Sequence, residues 1–192
     1  MRAPFCARCG VPTAWPVTRC RECTGRRLAF ATARSAVAYD RGARALVSAW
    51  KERGIRVLAR AAADLVAETI PAPGVEGLVF VPPDGERLLS RGHNPALELA
   101  LELGRCWRLP VGDVLVRSRR AGRQRGLSRV ERRRNVAGAF RARRMAIPRT
   151  LCVVDDVYTT GATASAAASA LRAAGAREIH VITLARAVRV GS

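Results

Sequence analysis

The sequence predicts an α/β protein in which a parallel, doubly wound sheet flanked by helices follows a small amino-terminal cysteine knuckle. Three observations predict it. From residue 28 onward, short apolar β-rich runs alternate with helical stretches, the pattern of parallel strands joined by crossovers. One run, Leu151 to Val154, ends in Asp155 and Asp156 and then a turn of hydroxyls and glycine ahead of an alanine-rich helix. Four cysteines near the amino terminus, Cys6, Cys9, Cys20 and Cys23, form two Cys-x-x-Cys pairs.

The cysteine spacing lets two short knuckles meet around one tetrahedral zinc ion. Disulfides are the competing reading, but two-residue spacing suits a chelate better and a reducing compartment disfavours the bond. A segment this short cannot bury a core of its own, so the metal would supply most of its folding free energy. Four thiolates leave no open position, which implies a structural rather than a catalytic zinc. We place this unit at residues 1–27 and the α/β domain at 28–192. Cys106 and Cys152 sit among apolar neighbours in sequence and read as inert core residues.

Leu28 to Tyr39 reads as a small-residue strand or hairpin, followed by helices at about Ala43 to Arg53 and Val57 to Thr69. Pro71 to Gly77 is a turn, and Leu78 to Val81 a short strand. Asn94 and Pro95 supply an N-cap and first position for a helix that runs to about Trp107. Val114 to Val116 reads as another strand, then come the strand Leu151 to Val154, the helix Ala162 to Ala174 closed by Gly175, and the strand Ile179 to Leu184. The chain carries no internal repeat.

A length of 192 residues fits one ordinary domain plus a small appendage, and 49% hydrophobic content is ample for a core. The first thirty residues lack the apolar core of a signal peptide, and later apolar stretches are broken by Arg, Gly or Pro short of a membrane span. These features predict a cytoplasmic protein without membrane insertion. The net charge of +19 rests on 33 arginines against the single Lys51. Its placement is uneven: Arg117 to Arg149 holds thirteen arginines and one acid, Glu131. Such a block attracts polyanions, whether pyrophosphate or nucleic acid.

The turn after Val154 has the chemistry of a sugar-phosphate site. Asp155 and Asp156 can accept hydrogen bonds from a vicinal diol. Thr159, Thr160, Gly161, Ala162 and Thr163 offer hydroxyls and backbone N–H groups at a helix amino terminus, whose dipole favours phosphate. A plain helix cap needs only one short polar residue, and this turn has two acids and three threonines. No GxxxxGK[ST] loop occurs, which argues against a nucleoside triphosphate. The string VVDDVYTTGAT resembles the site of type I phosphoribosyltransferases that binds phosphoribosyl pyrophosphate (PRPP).

The cysteine knuckles, YDRGARALVSAWKERG, VPPDGERLLSRGHNPALELA, RRAGRQRGLSRVERRRNVAGAF and VVDDVYTTGAT, in this order, resemble the ComF family of competence and phosphoribosyltransferase-like proteins. The resemblance covers nearly the whole chain. It implies a type I phosphoribosyltransferase fold behind a zinc finger, with two acids on the ribose hydroxyls and the T-T-G-x-T turn around the ribose phosphate. It also implies that the loop after strand Leu78 to Val81 faces pyrophosphate, with Arg87 and Arg91 as donors whose planar forks match phosphate oxygens. Arg117 to Asn135 would be a mobile flap, in part a short helix capped by Ser128 and Glu131, with Gln124 as a polar amide. The family pattern has an aromatic and a glutamine near His93 and Pro95, where this chain reads R-G-H-N-P. His93 therefore either packs or touches ligand, and Lys51 either marks a site for a compact ammonium or stands there by chance.

Two classes of function follow. As a DNA-handling factor linked to natural transformation, the chain would grip single-stranded DNA through Arg123, Arg125, Arg129, Arg132, Arg133 and Arg134, mainly by charge, since aromatic stacking platforms are sparse. It would then act with partner proteins of the DNA-uptake machinery. As an enzyme, it would be a transferase that displaces pyrophosphate from PRPP, with magnesium, Arg87 and Arg91 stabilising the leaving group beside Asp155 and Asp156. A PRPP-sensing regulator without turnover is a third reading. The acceptor and the oligomeric state, a homo-oligomer included, stay open.

Overall fold

The computed structural model describes residues 4–84, 89–118 and 138–188. The elements are β1 (Thr32–Ala38), α1 (Arg41–Lys51), α2 (Leu58–Thr69), β2 (Gly77–Phe80), α3 (Pro95–Trp107), β3 (Val111–Gly112), β4 (Leu115–Arg117), β5 (Phe140–Ala142), β6 (Thr150–Tyr158), α4 (Ala162–Ala173) and β7 (Glu178–Arg186). Five strands form one sheet in the order β1-β7-β6-β2-β3, every pair parallel. The central strands are nearly continuous apolar runs, as burial on both faces requires: Leu151, Cys152, Val153 and Val154 of β6 and Val181, Ile182 and Leu184 of β7 are all buried.

Helical periodicity places one stripe of α2, α3 and α4 against this sheet. Ala59, Ala62, Ala63 and Val66 of α2, Leu99, Ala100, Leu103 and Gly104 of α3, and Ala164, Ala167, Ala168 and Leu171 of α4 are buried. The connections β1 to β2 and β2 to β3 run toward one edge, whereas β6 to β7 runs toward the other. Right-handed crossovers therefore put α1, α2 and α3 on one face and α4 on the opposite one. The reversal falls between β6 and β2, and this is the crevice where open α/β sheets bind ligands.

The expected helix start is observed: the Ala96 N–H donates to Asn94 Oδ1 at 3.1 Å, with Pro95 in the first position. Three expectations need correction. The strand expected over Leu151 to Val154 runs on to Tyr158, because β7 pairs with it as far as Tyr158 opposite Arg186 and the ladder continues past the acids. The strand expected at Val114 to Val116 is β4, which leaves the main sheet and pairs antiparallel with β5. Cys106 is exposed, because the buried stripe of α3 passes through Leu99, Leu103 and Gly104 and leaves position 106 outside it; Cys152 is buried, as expected. Among the described residues, no helix is long and apolar enough to cross a membrane.

Candidate functional site

At the carboxyl ends of β2 and β6 the chain encloses a cavity of about 270 Å³. Its walls are Val81 to Asp84 after β2, Arg91 to Ala96 around the start of α3, and Asp155, Asp156, Val157, Thr159 and Thr163 from β6 and its turn. Lys51 of α1 and Arg117 of β4 complete it. A larger cavity of about 590 Å³ opens beside Thr32 and His180, toward the amino ends of β1 and β7, and no carboxylate lines it.

The acids define the first cavity's electrostatics. Asp155 Oδ1 accepts the Asp156 N–H at 2.9 Å, and Asp156 is ion-paired with Lys51. Burial, and then the adjacent Asp156 charge, push the Asp155 carboxyl up to about 7, against the opposing pull of Lys51 and Arg117. Arg91 is ion-paired with Glu52, and Arg117 lies 3.9 Å from Asp84 with its guanidinium over the Phe140 ring.

Behind this wall stands Glu98. It accepts the Trp50 indole N–H at 2.8 Å and Arg56 Nε at 2.6 Å, and His93 Nδ1 lies 3.3 Å away. Burial raises the Glu98 carboxyl, but these donors outweigh it and hold the group below its ordinary value. His93 is thus a packed wall residue, 5% exposed, whose Nε2 has no hydrogen-bond partner among the described residues.

The turn after β6 needs glycine. Gly161 has φ of 72°, and a Cβ there would stand 2.1 Å from the Tyr158 hydroxyl. Gly161, the N-cap of α4, has no side chain to cap the helix, and the Thr160 hydroxyl accepts its first N–H, that of Ala162.

The four amino-terminal cysteines converge as well. Their sulfurs lie within 4.8 Å of one another, and all six cysteines of the chain are free. Cys9 and Cys20 sulfurs are 3.7 Å apart, close to the roughly 3.8 Å edge of a tetrahedron with metal–sulfur bonds of about 2.3 Å. Backbone N–H groups outweigh the effect of burial on Cys6 and hold its thiol at about 7. The residues are positioned to hold a metal ion.

No family model matches the chain. Competence protein F of Haemophilus influenzae is 37% identical over 116 residues, which cover 58% of this chain and about half, 51%, of that protein's length. Competence protein ComFC of Streptococcus pneumoniae is 26% identical over 88% of this chain and 76% of its own. DNA utilization protein YhgH of Salmonella typhimurium is 31% identical over 196 residues, 96% of this chain and 85% of that protein. The chain belongs to the ComF family. Among solved structures, glutamine PRPP amidotransferase from B. subtilis aligns with 65% of this chain and 26% of its own, at 24% identity and a TM-score of 0.44.

In this ComF chain, Asp155, Asp156, Thr159, Thr163 and Arg91 meet in one cavity, and Gly161 lines a small cleft beside it. Thr160 and Ala162 lie outside the described lining; the Thr160 hydroxyl instead accepts the Ala162 N–H at 3.3 Å. Arg87, Arg123, Gln124, Arg125, Ser128, Arg129, Glu131, Arg132, Arg133 and Arg134 lie outside the described residues. Sequence reasoning left Lys51 undecided, and the structure pairs it with Asp156; being the sole lysine was its one signal. Asp84 and Asn94 line the cavity without any local motif that marks them for it.

Proposed function

We propose that this ComF family protein binds PRPP with magnesium in the cavity between β2 and β6 and serves DNA uptake in the cytoplasm, binding single-stranded DNA through its arginine-rich segment. One observation carries the reading: two acids, a hydroxyl turn, a helix terminus with glycine as its N-cap and three cations converge at the sheet's switch point. Asp155 and Asp156 would hold the ribose hydroxyls, and Thr159 and Thr163 with the α4 amino terminus would hold the 5-phosphate. Arg91, Arg117 and Lys51, which line the same cavity, would offer charge to the pyrophosphate. Magnesium bound with PRPP beside Asp155 and Asp156 would neutralise part of the phosphate charge. A structural zinc ion would fill the closed four-cysteine set.

The names of the relatives, a competence protein and a DNA utilization protein, support the DNA-handling role. So does a net charge of +19 concentrated between residues 117 and 149. The described residues add Arg141, Arg143 and Arg144 in and beside β5 to that segment, all at least partly exposed.

The transferase reading is favoured by the three cations in the cavity wall, which suit a departing pyrophosphate. Two assays separate the readings. Incubation with PRPP, magnesium and a panel of nucleobases, read by pyrophosphate release, is expected to give no turnover for a DNA-handling factor; base-dependent release would make the chain a transferase. Titration of single-stranded DNA against salt is expected to give a logarithmic slope of roughly 0.7 per phosphate neutralised. Arg132→Ala with Arg133→Ala and Arg134→Ala should flatten that slope, and an unchanged slope would remove the arginine segment from DNA binding.

A further inference from the structure

The cysteine knuckle and the phosphate turn are more than 130 residues apart in sequence, yet contacts on two sides join them. On one side Arg26, three residues past Cys23, donates from Nη2 to the Thr160 carbonyl at 2.7 Å. Next to it the Ala29 N–H donates to Ser165 Oγ at 3.1 Å on the first turn of α4, and Arg172 Nε donates to the Ala29 carbonyl at 2.5 Å. On the other side Arg186, at the end of β7, donates from Nη1 to the Cys9 carbonyl at 2.6 Å, with Nη2 3.4 Å from Cys9 Sγ. The same guanidinium stacks 4.4 Å from the centre of the Tyr158 ring, and the Tyr158 hydroxyl fills the space against Gly161.

These contacts bear on the turn's peptide planes. A trans peptide points its C=O and the following N–H in opposite directions, so a guanidinium that fixes the Thr160 carbonyl toward the knuckle turns the Gly161 N–H away from it. Tyr158, clamped between Arg186 and Gly161, limits how far the turn can collapse. Both clamps start from residues beside metal-ligating positions: Arg26 follows Cys23, and Arg186 holds the carbonyl of Cys9. Loss of the knuckle's geometry would release both at once.

We propose that Arg26 and Arg186 are positioning residues that couple the four-cysteine metal site to the sugar-phosphate turn, so that metal in the knuckle and PRPP at the turn tighten each other's binding. The proposal rests on the reading of this turn as the PRPP site. Such coupling is reciprocal: whatever factor the metal adds to PRPP affinity, PRPP must add to metal affinity. Arg26 is the better probe, because it is partly exposed whereas Arg186 is buried and its loss endangers the fold.

The test uses the full chain purified in reducing buffer with zinc bound, and reads two quantities: PRPP affinity by calorimetry and the rate of zinc release to a chromophoric chelator. PRPP with magnesium is expected to slow zinc release from the wild type by about 5-fold or more. Arg26→Ala is expected to keep its zinc and its unliganded melting temperature, bind PRPP more weakly by a similar factor, and lose the protection. Arg26→Lys, which retains a donor for the Thr160 carbonyl, is expected to recover part of both. A wild type that binds PRPP while its zinc leaves at an unchanged rate overturns the coupling alone, as does an Arg26→Ala variant with undiminished affinity and protection. A wild type that binds no PRPP overturns the site reading and the coupling with it.

Discussion

Lys51, the last residue of α1, is ion-paired through Nζ with Oδ2 of Asp156 in β6. The side chains are 19% and 14% exposed, so the pair lies in partial shelter from solvent and ties the helix to the strand that carries both acids. In a chain with 33 arginines, the one lysine ammonium is the group paired with Asp156.

Removing the Lys51 charge should leave Asp156 without its partner. Lys51→Met is expected to cost about 1–3 kcal/mol, which for a chain of this size lowers the melting temperature by several degrees. Circular dichroism melts of the two proteins measure it, and equal midpoints would mean that the pair contributes nothing.

Asp155 should make stability depend on pH. Its carboxyl is raised from 3.8 to about 7, first by burial and then by Asp156. Between those values the folded chain keeps a proton that the unfolded chain has lost, so this group's contribution to stability falls as pH rises through the window. Asp155→Asn is expected to melt later than the wild type near pH 8, with the gap closing near pH 4, where both carry a neutral group. A gap that is independent of pH would contradict the raised carboxyl. PRPP binding that uses the ionised carboxylate should in turn release a proton near pH 6, visible as buffer-dependent heat in calorimetry.

Gly161→Ala should damage the turn. The residue has φ of 72°, and the new Cβ would collide with the Tyr158 hydroxyl. A cost of about 1–3 kcal/mol is expected, together with weakened PRPP affinity. Gly161→Ala with Tyr158→Phe, which removes the oxygen nearest that Cβ, should recover part of the stability. Full stability in the single variant would show that the turn adapts freely.

Local chemistry made much of this legible from sequence. Asn94 and Pro95 announce α3, Gly175 follows α4, and the two acids with Thr159 and Thr163 line the cavity, because in each case the cause lies within a few residues. The end of β6 was not legible, since its length depends on β7, far along the chain. Nor was the pairing of Lys51 with Asp156, or that of Arg26 with Thr160, which only the fold brings together. Arg117 looked like one more member of a basic block, and its place in the cavity wall follows from β4 pairing with β5.

The central claim is that Asp155, Asp156 and the turn after them form a PRPP site. Calorimetric titration of PRPP with magnesium into the wild type and into the Asp155→Ala, Asp156→Ala double variant tests it most directly. The account expects saturable binding of one PRPP per wild-type chain and none measurable in the double variant, with zinc content unchanged. Equal affinity in the two proteins, or no binding by the wild type, would contradict it.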